Sequence, residues 1–438
     1  MSDSLRLSRS LAAVATGFLF VLMVAATHAA QAQTFTILHN FTGGEDGASP
    51  IAALTMDNAG SLYGTASIGG SNNCPGGCGT VFKLTKKGSG WVFLPLYSFA
   101  GGSDGAYPLA SVVFGPDGSL YSTTGGGANP SCTNGCGTVF KLRPNPTACK
   151  TALCGWQESL LYSFTGGSDG ANPGYGSLVF DQAGNIYGTT VWGGPNNCFG
   201  VTCGVVYELT ASDGGWTESV IYAFSGGQDG WQPSTGVIFD QAGNHLYGTT
   251  NFGGNPSCFN DFCGTVFQLT TSQSGWTENI LYDFQNGSDG TQPTGGLVFD
   301  QSGNLYGTTQ YGGSGLGGTV FALTPSGGSW TYGLLYSFEG FPGNPGGGPY
   351  GSLVMDAAGD LYGSTALDGA YGWGSVFKLT PSNGGWAYTD LYDFCSGGSP
   401  CTDGAVPFGV MLDASGNLYG VTSGGGTNGL GVVWEITP

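Results

Sequence analysis

Charge is scarce in this chain. Only 8% of its 438 residues are Asp, Glu, Lys or Arg, and 9 basic side chains stand against 28 acidic ones. Disordered chains combine many charges with few aromatics; here aromatics reach 13%, so disorder is excluded. With so few Lys and Arg there is little to neutralise phosphates, which argues against nucleic acid and anionic lipid as partners. Only three histidines occur, so the usual acid–base side chain is nearly missing. After residue 32 no sustained helical period is found. No His-Glu-x-x-His and no phosphate-binding loop occurs. Glycine, 85 residues in all, does not recur at every third position, which excludes collagen.

The one long apolar run, residues 11–26, follows Arg6 and Arg9 and precedes Ala30-Gln31-Ala32. A basic start, a short apolar stretch and a small-x-small site are the pattern of a secretory signal peptide. The run is short for a membrane span of about 20 residues. The expected division is therefore a leader at 1–32 and one domain at 33–438. Removing Arg6, Arg9 and Asp3 from the 9 basic and 28 acidic residues leaves 7 and 27, a formal charge of −20. That charge keeps a glycine-rich surface soluble.

What is present is repetition. The phrase Phe-Asp-x-x-Gly-Asn-Leu-Tyr-Gly-Thr-Thr recurs with its tyrosine at Tyr63, Tyr121, Tyr187, Tyr247, Tyr306, Tyr362 and Tyr419. A period of about sixty residues marks a repeat architecture. Each repeat reads as four short strands, β-branched or aromatic, bounded by Gly, Asn, Asp or Pro. A calcium-binding β-roll, suggested by Gly166-Gly167-Ser168-Asp169-Gly170, would need a nine-residue period and is set aside.

The chain's ends choose between architectures. The seventh repeat stops after its third strand at residues 432–437, while residues 35–41 have the pattern of an orphan fourth strand. A solenoid has no use for this split, whereas a closed ring protects its sheet edges by it. The sequence thus predicts an all-β, seven-bladed β-propeller of four-stranded blades, closed by the N-terminal strand.

The phrases Asn304-Leu305-Tyr306-Gly307-Thr308-Thr309 and Gly318-Thr319-Val320-Phe321-Ala322-Leu323-Thr324 resemble the GloVer (Gloeo/Verruco-type) choice-of-anchor tandem repeat. The resemblance covers essentially all of the chain after the leader. It implies a bacterial exported protein without a defined biochemical role. Such proteins often end in a sorting segment; with no apolar helix or basic tail before Pro438, free secretion is expected. The Asp-x-x-Gly-Asn-Leu-Tyr phrase also resembles NHL-type propeller repeats, which supports the fold and carries no function.

Twelve cysteines form six close pairs: Cys74/Cys78, Cys132/Cys136, Cys149/Cys154, Cys198/Cys203, Cys258/Cys263 and Cys395/Cys401. Each pair lies where a repeat is longer than its siblings. An even count in an exported chain predicts disulfides, and closing such short loops stabilises by about 2 kcal/mol each. Zinc would need further ligands, and histidine is nearly absent.

Two aspartate sets recur. Asp57, Asp181, Asp240, Asp300, Asp356 and Asp413 stand in the turn between first and second strands. Asp46, Asp104, Asp169, Asp229, Asp289 and Asp403 stand in Asp-Gly turns joining one blade to the next, on the face that holds most cysteine insertions. This second set is the candidate binding ring, for structural calcium or a hydroxyl-rich ligand. The competing reading is that Asp-Gly is simply a good turn whose side chain bonds nearby backbone N–H groups. The recurrent tryptophans read as packing between blades. The functional expectation is a monomeric, non-enzymatic extracellular binding protein for a glycan or protein ligand. A secreted carbohydrate-active hydrolase or lyase and a structural envelope protein remain alternatives.

Overall fold

The computed structural model describes residues 33–145, 155–258, 263–273, 275–340 and 347–438. They form seven four-stranded antiparallel sheets. Blade one is typical, with strands Thr55–Met56, Leu62–Ala66, Thr80–Lys87 and Gly90–Ser98 from the axis outward. The seventh blade takes Ala405–Leu412, Leu418–Gly424 and Val432–Thr437 from the end of the chain and Thr34–Asn40 from its start. Thr34 pairs with Thr437 and Asn40 with Val432, so the expected 1+3 closure is present. Among the described residues no helix is long and apolar enough to cross a membrane.

The repeated phrase now has a physical explanation, residue by residue. Its aspartate caps the hairpin between first and second strands. Asp300 Oδ1 accepts from the backbone N–H of Ser302 and Asn304, and Oδ2 accepts from the Asn304 amide and the Tyr306 hydroxyl. Asp181 and Asp413 use the same scheme, and Asp57 and Asp356 keep its backbone and tyrosine donors without the amide. Repeat two lacks this aspartate at Gly115, and Asp117 accepts from Ser119 and Tyr121 instead. Partial burial alone would raise the pKa of Asp300, but these hydrogen bonds outweigh it and hold the carboxyl below its ordinary range.

The glycine after the tyrosine is demanded by close approach. A Cβ on Gly64 would lie 2.5 Å from the Phe82 ring. The first threonine then ties the blade to its neighbour. Thr65, Thr123, Thr189 and Thr249 donate to the carbonyls of Ala110, Pro173, Thr235 and Pro293, each in the next blade's innermost segment.

Aromatic side chains close the ring. The phenylalanine ending each fourth strand is buried against the third-strand aromatic of the following blade. The pairs are Phe41–Phe82, Phe99–Phe140, Phe164–Tyr207, Phe224–Phe267, Phe284–Phe321, Phe338–Phe377 and Phe394–Trp434, at 5.0 to 5.8 Å between centroids. Burying a Phe is worth about 1.5–3 kcal/mol, so these seven contacts carry much of the inter-blade cohesion. The tryptophans behave as packing side chains: Trp91, Trp156, Trp276, Trp330 and Trp386 lie on the core tyrosines of preceding blades.

Candidate functional site at the channel mouth

Each blade reaches the axis through the segment after its Asp-Gly turn. There the chain runs Gly, one residue, a variable residue, Pro. Six of the variable residues have left-handed backbone: Ser49, Tyr107, Asn172, Gln232, Gln292 and Val406, with φ from 52° to 59°. A residue before proline is ordinarily extended, and a non-glycine in this region costs on the order of 1–3 kcal/mol unless its surroundings fix it. Here two backbone hydrogen bonds do so. Asn172 N–H donates to the Cys136 carbonyl, and the Asn172 carbonyl accepts from Val191 N–H. Gln232 is held in the same way by Cys203 and Asn251.

The residue after that proline faces the axis. Ile51, Leu109, Ser234, Thr294, Tyr350 and Phe408 occupy this place in six blades. In blade three the segment from Pro173 to Leu178 is one residue longer than Pro233 to Val237, and Tyr175 takes the place. Together they line a cavity of about 390 Å³ at the centre of the ring. Its wall is not uniform. Tyr350 and Phe408 meet edge to face at 5.3 Å, and Ile51 and Leu109 continue this apolar arc. The opposite arc carries Ser234, Thr294, Gln232 and Asn251. The Thr294 hydroxyl is buried without a protein partner. Tyr175 is 46% exposed. The Tyr350 phenol is pushed up by burial first and then by the neighbouring Tyr175 and Tyr311 phenols. Among the described residues no Asp, Glu, His, Lys or Arg lines the cavity. A second depression of about 280 Å³ shares Leu109 and Asn172 with the first and adds Tyr107 and Asn134.

The sequence-predicted aspartates do not line this cavity. Each is turned into its own loop. Asp169 accepts from Thr165 N–H at 2.7 Å, the Thr165 hydroxyl and the Tyr162 hydroxyl. Asp229 accepts from Ser225, Gly227 and Tyr222, and Asp289 from Gln285, Gly287 and Tyr282. Asp104 is bound by Ala100 and Tyr97, and Asp403 by Cys395, Ser396 and Tyr392. Asp46 accepts from Thr42, and His39 Nε2 lies 3.0 Å from it. Among the described residues no three His, Cys, Asp or Glu side chains converge as a metal site.

Among the described residues five disulfides are present: Cys74–Cys78, Cys132–Cys136, Cys198–Cys203, Cys258–Cys263 and Cys395–Cys401. The pair Cys149 and Cys154 lies outside the described residues. The five fit an oxidising, exported location. They also serve the mouth: the carbonyls of Cys78, Cys136, Cys203 and Cys263 hold the left-handed Tyr107, Asn172, Gln232 and Gln292 of the next blade. Sequence reasoning missed the axial ring. Its signal was available, since the residues flanking each Asp-Gly-x-x-Pro proline are where otherwise constant repeats diverge, and blade three alone is longer by one.

No curated protein matches this chain. Among solved structures it is similar to the surface component PorZ of the type-IX secretion system of Porphyromonas gingivalis. That match has 14% identity and a TM-score of 0.49, and covers 88% of this chain and 46% of that one. The periplasmic gluconolactonase of Pseudomonas aeruginosa is similar at 14% identity and a TM-score of 0.47, covering 84% and 94%. A putative glucose dehydrogenase of Thermus thermophilus follows at 17% identity and a TM-score of 0.43, covering 74% and 95%. The repeats themselves match the Gloeobacter/Verrucomicrobia repeat over residues 16–158, 133–345 and 259–438, and the chain belongs to that family.

Proposed function

We propose that the protein is an exported binding module whose channel mouth takes a neutral, hydroxyl-rich ring, a sugar residue of a glycan. One observation carries this reading: a cavity whose described lining is uncharged and combines the aromatic rings of Tyr350, Phe408 and Tyr175 with the polar groups of Ser234, Thr294, Gln232 and Asn251. Aromatic faces suit the C–H face of a sugar, while amides and hydroxyls supply both donors and acceptors. The cavity volume falls within the range of small-molecule sites. Hydrolysis of a glycoside ordinarily calls on a pair of carboxylic acids, and the lining has none among the described residues, which favours binding over hydrolysis. Export through the leader at 1–32 is part of the same reading, supported by the five disulfides.

The test is a neutral-glycan array followed by calorimetry on the best binder. Tyr175→Ala and Tyr350→Ala should each weaken it by about tenfold, the scale of one lost aromatic contact. Absence of any neutral-glycan binding, or binding that neither substitution alters, would overturn the reading.

A further inference from the structure

Neighbouring blades also meet along their outer strands, and these seams are of two kinds. Four are aromatic pairs. Phe35 stacks on Tyr392 at 4.0 Å, Phe93 on His39 at 3.9 Å, Tyr332 on Tyr282 at 4.5 Å and Tyr388 on Tyr336 at 4.4 Å. The same register in blades two, three and four holds glutamate. Glu158 stands opposite Leu142, Glu218 opposite Leu209 and Glu278 opposite Leu269, just as Tyr332 stands opposite Leu323. Three successive seams therefore place a carboxyl where the other four place a ring.

These carboxyls are poorly served. Oε1 of each is buried without a partner. Glu158 faces Asp104 of the connecting loop and Tyr97 of blade one. Glu218 faces Asp169, Tyr162 and the buried Tyr207. Glu278 faces Asp229, Tyr222 and Asp283. The facing groups are carboxylates and phenols. Burial first, and then the charge of the facing aspartate, pushes Glu158 and Glu218 up to about 7 and Glu278 up to about 8. Above each seam sits a disulfide. A Cβ on Gly101, Gly166 or Gly226, in the three connecting loops, would meet cysteine sulfur. The staples thus hold the loops over the three seams that lack aromatic pairs.

We propose that the seams between blades one and two, two and three, and three and four form an acid-stabilised arc, closed when Glu158, Glu218 and Glu278 are protonated and loosened when they ionise beside Asp104, Asp169 and Asp229. The folded state retains protons that the unfolded chain releases near the ordinary glutamate value of 4.5. Folding then binds protons between about pH 4.5 and 8, so the contribution of these groups is largest below about pH 4.5 and is lost progressively as pH rises to about 8. Asp390, on the outer strand of blade six, adds a smaller contribution of the same sign, because burial and the neighbouring Asp393 push it up to about 6.

The experiment is urea unfolding of the disulfide-intact full chain from pH 5 to 9, for the native sequence and for Glu158→Gln, Glu218→Gln and Glu278→Gln combined. The native midpoint should fall between pH 5 and 8, and the triple variant should be flatter over that window. Glu278→Tyr, which copies the pair used by Tyr332 and Tyr282, should raise the midpoint at pH 8 more than at pH 5. Should the triple variant fail to fold, carboxyl titration of the native chain by NMR decides: three glutamate midpoints near 7 to 8 are expected. A native midpoint that does not fall, an equal fall in the triple variant, or glutamate midpoints below 5 would overturn the proposal.

Discussion

At the scale of single residues, most recurrent side chains are satisfied by local partners, and the exceptions are informative. Tyr207 is one. Five other repeats have Phe at this third-strand place, namely Phe82, Phe140, Phe267, Phe321 and Phe377. Tyr207 is wholly buried, and its hydroxyl has no protein partner. A buried, unpaired hydroxyl costs about 1–3 kcal/mol, and the site already accepts a ring of that shape in its siblings. Tyr207→Phe should therefore raise the stability to urea by about 1 kcal/mol. A lower unfolding midpoint in the variant would show that the hydroxyl is paired in solution. The strained residues before each proline are exceptions of another kind. Four of the six are held by cysteine carbonyls of the preceding blade, and Ser49 and Val406 by the carbonyls of Leu430 and Trp373, so a local conformation at the mouth depends on a loop distant in sequence.

At the scale of elements, the Asp-Gly turns are self-contained. The carboxylate of Asp229 accepts two backbone N–H groups and two hydroxyls within its own blade's outer strand and turn. A carboxylate so occupied has little left to offer a cation. The thermal midpoint should thus be the same in millimolar calcium and in chelator, for the native chain and for Asp169→Asn with Asp229→Asn. A rise with calcium that the double variant abolishes would establish the aspartate ring as a cation site. The disulfides act at this scale too. Four of them, Cys74–Cys78, Cys132–Cys136, Cys198–Cys203 and Cys258–Cys263, each close a loop within one blade but brace the next, because the second cysteine's carbonyl receives the neighbour's N–H.

At the scale of the whole molecule, the ring is held by one contact type repeated seven times and by one strand that joins its two ends. Thr34–Asn40 covers the edge of Val432–Thr437, and Phe41, just beyond it, covers the Phe82 ring. Deleting residues 33–42 would remove both the strand and this aromatic. The exposed edge would then be free to pair with another chain. The expected outcome is a broadened, less cooperative calorimetric transition with association seen on size-exclusion chromatography. A single sharp transition from a monomer would mean that the ring does not need its closing strand.

The sequence by itself determined the number of blades, the four-strand unit, the split seventh blade and the pairing of the ten described cysteines. All of these rest on order and spacing along the chain, which repetition makes visible. The hairpin aspartates were legible as turns for the same reason, since Asp57 and Asp300 bond groups two to six residues away. Only the tertiary structure decided what the repeats do together. Ile51, Leu109, Tyr175, Ser234, Thr294, Tyr350 and Phe408 are separated by some sixty residues each in sequence, and ring closure alone brings them to one cavity. The seams of Glu158, Glu218 and Glu278 likewise exist only between blades. A carboxyl looks like an ordinary outward-facing strand residue until the neighbouring blade removes its water and sets an aspartate beside it. Local hydrogen bonding follows the chain, whereas desolvation and convergence depend on what closes over it.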